Sequence, residues 1–164
     1  MLGDLDVDEL AQALRGVGAA SPGPPTTVDL NLKIARQLAE TRKSIDTGRD
    51  IDWATGGALA FGTVLDEGTP VRLSGQDSGR GTFSQRHSVL VDQSTDAKYV
   101  PLNNLAKDQA NFEVIDSPLN DAGGLAFEYG YSSAEPTPLV LWGRHLRPFA
   151  HAARRRLRPT NSPP

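Results

Sequence analysis

Twice in this chain a helix pattern runs directly into a strand pattern, and that order constrains the fold more than any other feature. WATGGALAFGTVLDE (53–67) reads as a helix that Asp52 can cap, with Trp53, Ala60, Phe61, Val64 and Leu65 on an apolar side and Gly68 at its stop. PVRLSG (70–75) follows as a short strand. DAGGLAFEYGYS (121–132) and PLVLW (138–142) repeat the order, with FEVID (112–116) as a third strand before them, entering the helix through turn residues Ser117 to Asp121. Strands alternating with helices favour an α/β layer structure with a mostly parallel sheet flanked by helices. Leu30, Ile34 and Leu38 recur every four residues, so DLNLKIARQLAETRKSI (29–45) adds an amphipathic helix upstream.

The ends read differently from this middle. Residues 4–17 form a short helix pattern, in which Asp6 and Glu9 resemble a capping box, and SPGPPTT (21–27) is a Pro-rich linker. Residues 1–142 carry 11 basic and 20 acidic side chains, whereas 143–164 carry six Arg and no acid. Such a split marks an interaction tail or a segment of foreign origin, and the tail, 143–164, is expected to be disordered or loosely docked. At 164 residues the chain is sized for one domain.

The absence of Cys excludes a disulfide framework, a thiolate nucleophile and Cys-based metal sites. MLGDLDVDEL lacks the basic start and apolar core of a leader, and no apolar run is long enough to span a bilayer, so a soluble, cytoplasmic location without membrane attachment is expected. The spacing of His87, His145 and His151 fits no standard zinc motif.

SGQDSGRGTFSQRH (74–87) gathers small, polar and basic groups at a strand end, where ligands collect in open α/β sheets. Gly75, Gly79 and Gly81 could let a backbone approach an anion, and Arg80, Arg86 and His87 could offer positive charge or proton transfer; taken alone, these residues favour a Gly-rich surface loop with solvated Arg. Asp121 reads locally as a helix N-cap, Glu128 as a solvated face residue, and Phe127, Tyr129 and Tyr131 as an aromatic stripe that belongs to a core.

RLSGQDSGRGTFSQRHSVLVDQ, YVPLNNL, FEVIDSPL and LAFEYGYSSAEPTPLVLW resemble, in order and spacing, the pyrimidine-binding domain of the thiamine-diphosphate-dependent decarboxylating component of 2-oxoglutarate dehydrogenases. IDWATGGALAFGTVLDEG and the helix around KIARQL extend the resemblance upstream, to about residues 28–142. It implies an incomplete transketolase-like pyrimidine-binding domain. Thiamine diphosphate and magnesium are the cofactors implied, with the diphosphate and magnesium site on a separate domain absent from this chain. The cofactor then lies between two subunits, so a homodimer is implied, with dihydrolipoyl succinyltransferase as a further partner.

The reaction implied is oxidative decarboxylation of 2-oxoglutarate with succinyl transfer to a lipoyl arm. As a fragment, the isolated chain is expected to be inactive; the alternative is a non-catalytic protein that pairs with intact dehydrogenase subunits. Nucleic-acid binding through the Arg-rich tail has weaker support, because one cluster is not a basic face.

In the family a Glu hydrogen-bonds a pyrimidine nitrogen and promotes deprotonation of the thiazolium carbon. By resemblance that role falls on Asp121, catalytic and cofactor-binding, one methylene short. Ala122, Gly123 and Gly124 replace larger or acidic family residues, and Gly57 stands at a family Glu. His87 keeps its place in the family's Arg-His pair as a catalytic and substrate-binding residue, with Arg80 and Arg86 as substrate-binding neighbours. Beyond Trp142 only Phe149, assigned to cofactor binding, and Ala150 still agree. With one choice of codons, residues 156–161 read one base later give Val-Phe-Asp-Gln-Leu, the family's wording, so the tail reads as a frameshift product.

Overall fold

The computed structural model describes residues 28–117 and 120–143. The helix expected at 4–17, the linker at 21–27, the tail after Gly143 and Phe149 lie outside the described residues.

Helix α1 (Leu32–Thr47) starts later than its apolar spacing suggests, because Asn31 caps it by accepting a hydrogen bond from the Lys33 N–H. Leu30 therefore lies outside the helix. Asp29 is committed elsewhere, its N–H donating to Asp92 Oδ2 at 3.0 Å and its carbonyl accepting from Gln93. At the other end Gly48 takes a left-handed conformation, φ 65°, and returns its N–H to Ile45.

Helix α2 (Trp53–Asp66) is capped by Asp52, whose Oδ1 accepts from the Thr55 N–H at 2.7 Å, as its sequence position implied. That hydrogen bond, first among its causes, holds the Asp52 carboxyl below the usual carboxylate range. The buried residues are Thr55, Leu59, Gly62 and Leu65, with Phe61 and Val64 packed against the core; of the expected apolar side, Trp53, 98% exposed, and Ala60 instead face outward. Trp53 is the first residue of the helix. Nothing lies within 4 Å of a Cβ built on Gly57, so Gly57→Ala is expected to stabilise the chain by about 1 kcal/mol through helix propensity alone. Urea titration checks this, and a loss of stability would mean the position is not open.

Strand β1 (Val71–Gly75) is buried along its whole length because it is the centre of a three-stranded sheet, order β4-β1-β5, with β4 at Phe112–Asp116 and β5 at Leu139–Gly143. Both pairings are parallel, and Val71 faces Phe112 on one side and Leu139 on the other. The α/β class and the parallel sheet between helices therefore stand. Strand alternation sends Val71 and Leu73 to the face covered by α2. There Leu65, Val71, Leu73, Leu102 and Phe112 form the core, with Phe61 stacked on Phe112 at 5.8 Å between ring centroids.

Between β1 and β4 lies a small antiparallel pair, β2 (Leu90–Val91) and β3 (Lys98–Tyr99), then a 3-10 turn at Pro101–Asn103. Two-residue strands carry no readable periodicity, and the sequence reading did not include them. Asp92 organises their turn, accepting hydrogen bonds from the N–H groups of Asp29, Ser94 and Thr95, which hold its carboxyl below the usual range.

Helix α3 (Asp121–Ala134) returns the chain from β4 over β1 to β5. Three sequence expectations fail on it. Its N-cap is Asn120, whose Oδ1 accepts from Gly123 N at 2.8 Å, so Asp121 is the first helical residue. Glu128 is not solvated but 6% exposed. The aromatic stripe is not core: Phe127 is 56% and Tyr129 44% exposed. One cause underlies the last two, since α3 turns Gly124 and Glu128 toward the sheet to meet Arg72.

Candidate functional site

The strand ends come into line at Gly75, Asp116 and Gly143, which are register partners at the C-terminal edge of the sheet. A Cβ on Gly75 would sit 1.9 Å from the Gly143 carbonyl oxygen, and φ there is +135°, so only glycine passes. The loop from Gln76 to Ser88 then folds back on itself. Arg86 N and His87 N both donate to Arg80 O, at 2.9 and 3.0 Å, and Ser88 N donates to Gly79 O at 2.7 Å. Gly79 N donates to Asp116 Oδ1, which ties the loop to the end of β4.

Asp77, Ser84 and His87 all hold positive φ without being glycine, at 49°, 54° and 45°. Backbone strain of this kind persists only where surroundings enforce it, and it concentrates at binding and catalytic positions. Gln37 of α1 clamps the loop, its Nε2 donating to Ser84 O and Gln85 O at 3.3 Å each. Between α1, α2 and the loop lies a cavity of about 120 Å³, walled by Ile34, Leu38, Leu59 and Leu102 together with Arg86 and His87. Arg86 Nη1 donates to Ser78 O at 2.8 Å, and among the described residues no carboxylate pairs with it.

Burial depresses the His87 pKa below 6.5, with the charge of Arg80 acting in the same direction and a hydrogen bond with the Ser84 backbone opposing. The imidazole is therefore neutral at pH 7 and available as a proton acceptor. Below pH 6.5 the unfolded chain binds this proton before the folded one does. Stability present above that pH is accordingly lost as pH falls through the folded value. Urea midpoints compared at pH 7.5 and 5.5 should show that loss, and a smaller one in His87→Gln; an equal loss in both would assign it to other groups.

Of the residues singled out from sequence, the structure brings Arg86 and His87 into one wall. Arg80 stays outside, paired at 3.3 Å with Asp77, and both side chains are about half exposed. Asp121 stands on α3 at the C-terminal edge and is not part of that wall. The edge retains polar capacity, for Ser74 Oγ and Ser78 Oγ are buried without a hydrogen-bond partner.

The residue that sequence reasoning missed is Arg72. The residue is 9% exposed, and its guanidinium makes two bonds to Glu128, at 2.8 and 3.1 Å, and one to Glu113 at 2.5 Å, beneath the rings of Tyr131 and Phe127 at 4.6 and 5.7 Å. These carboxylates raise its pKa well above the ordinary value, led by Glu128. A lone Arg between the apolar residues of a predicted strand was the available signal, because a buried cation requires a counter-ion.

The sequence matches the family described as transketolase, pyrimidine binding domain, over residues 49–161. The chain belongs to that family. The 2-oxoglutarate dehydrogenase E1 component of Brucella anthropi is 46% identical over 142 residues, which is 87% of this chain and 14% of the relative. Those of Brucella ovis and Brucella canis match with the same identity and coverage. The chain thus spans 14% of the length of the curated relatives it matches. The resemblance drawn from GRGTF, RH and FEYGY is the one these comparisons find. Among the described residues no helix is long and apolar enough to cross a membrane.

Proposed function

We propose that this chain supplies the pyrimidine-binding part of a thiamine-diphosphate-dependent 2-oxoglutarate dehydrogenase E1 component, with residues 28–142 as the functional unit. The supporting observation is Arg86: a half-buried guanidinium without a carboxylate partner among the described residues, beside a neutral His87 in a cavity wall of mixed apolar and uncharged polar residues. A site built this way accepts the carboxylate of a small oxo acid, and the adjacent imidazole accepts or returns a proton.

Thiamine diphosphate supplies the electron sink for decarboxylation when bound. On this chain Asp121, which opens α3 beside the strand ends, would meet its pyrimidine half. Magnesium and the diphosphate are assigned here to a separate domain, as the family resemblance implies. A second subunit and a succinyltransferase complete the proposed assembly.

A chimera tests this, with residues 28–142 replacing the matching segment of the Brucella anthropi relative. With thiamine diphosphate and magnesium, the chimera should release carbon dioxide from 2-oxoglutarate, while the 164-residue chain alone should not. Arg86→Met in the chimera should raise KM for 2-oxoglutarate about tenfold or more, since a hydrogen bond to a charged group contributes about 1.5–3 kcal/mol. An unchanged KM would remove Arg86 from the substrate site. Activity from the 164 residues alone would show that they are not half a site.

A further inference from the structure

Asp121 and Glu128 are seven residues apart on α3, two helical turns, and so project within about 20° of one another. Glu128 is where the helix is fastened. Its two oxygens take Nε and Nη2 of Arg72, in the central strand, in a side-by-side geometry that fixes both distance and rotation. Glu113 of β4 holds the third bond, so the guanidinium itself cannot swing. Tyr131 and Phe127 close over it.

The turn that carries Asp121 needs such an anchor. Gly123 and Gly124 follow it, and two adjacent glycines make this the weakest stretch of the helix. Gly124 is buried against the sheet, with Trp142 Nε1 3.1 Å and Ser117 Oγ 3.6 Å from where its Cβ would be, so the helix approaches closely at this point. A rotation of α3 about its axis would move a first-turn carboxylate sideways along the edge.

We propose that the buried Arg72–Glu128 pair is a positioning device that sets where α3 presents the Asp121 carboxylate at the C-terminal edge of the sheet. The inference rests on the reading of Asp121 as the group that meets the pyrimidine, and it makes Arg72 and Glu128 positioning residues that touch no substrate.

The experiment is NMR on the 164-residue chain with labelled Asp, the Asp121 carboxyl signal being assigned by its loss in Asp121→Asn. Arg72→Lys keeps the charge but cannot make the paired bonds. It should displace the Asp121 carboxyl signal and the amide signals of Asn120 to Gly124 by more than their linewidths. Leu65→Ala, on the opposite face of the sheet, serves as a control for lost stability and should leave those signals in place. Unmoved signals in Arg72→Lys, or equal movement in both variants, would overturn the proposal.

Titration with 4-amino-5-hydroxymethyl-2-methylpyrimidine separates the two claims. Shifts at Asp121 in the parent chain, with about tenfold weaker binding in Arg72→Lys, are expected. No shift at Asp121 would remove the reading of that residue, whereas equal affinity in the two proteins would remove the positioning role alone.

Discussion

Asp121→Glu, introduced into the chimera with the Brucella anthropi relative, is expected to raise kcat about a hundredfold. An Asp carboxylate stops roughly 1.5 Å short of where Glu would reach, and misplacement by about 1 Å can cost around two orders of magnitude. The backbone has little room to compensate. Asn120 holds the first turn from both its groups, with Oδ1 bonded to Gly123 N and its carbonyl to Gly124 N at 2.9 Å. Glu is as well tolerated as Asp at this first helical position, where the helix dipole favours a negative charge. Steady-state carbon dioxide release at saturating cofactor gives kcat directly. Equal turnover in the two proteins would show that the catalytic carboxylate is elsewhere.

Arg72→Ala in the 164-residue chain is expected to lower its unfolding free energy by about 3–5 kcal/mol, the cost of stranding one member of a buried ion pair. Glu128 has no solvent to turn to, its residue being only 6% exposed, and Glu113 adds a second negative charge to the space left behind. Against a typical domain stability of about 5–15 kcal/mol, such a loss unfolds a large share of molecules near physiological temperature. Urea denaturation followed by tryptophan fluorescence measures it. Trp142, in register with Ser74 on β1, reports on the sheet directly. A loss below 1 kcal/mol would place the pair in solvent and refute its burial.

How much was legible follows from what each element depends on. The cap at Asp52 and the strands FEVID and PLVLW depend on local geometry and short-range pattern, and the structure keeps them. The loop from 74 to 87 was visible as a cluster of Gly, Arg and His, but its folding back depends on Gly79 reaching Asp116, 37 residues away. No spacing in the sequence encodes that reach. Glu128 was misread for the same reason. On its helix it is an ordinary charged residue, and only the meeting with Arg72, 56 residues earlier, buries it.

The sequence by itself determined the α/β class, the order of the main helices and strands, and the residue types gathered around the GRGTF and RH segments. It did so because helix and strand periods, caps and turn residues act over a few positions. Tertiary structure alone decided that Arg86 and His87 share one cavity wall while Arg80 stays outside and Asp121 stands on another element. It also decided that a charged cluster rather than an aromatic stripe fastens α3 to the sheet. Those outcomes depend on which strand lies at the centre, since placing β1 between β4 and β5 takes its residues out of water and obliges Arg72 to find its counter-ions across the fold.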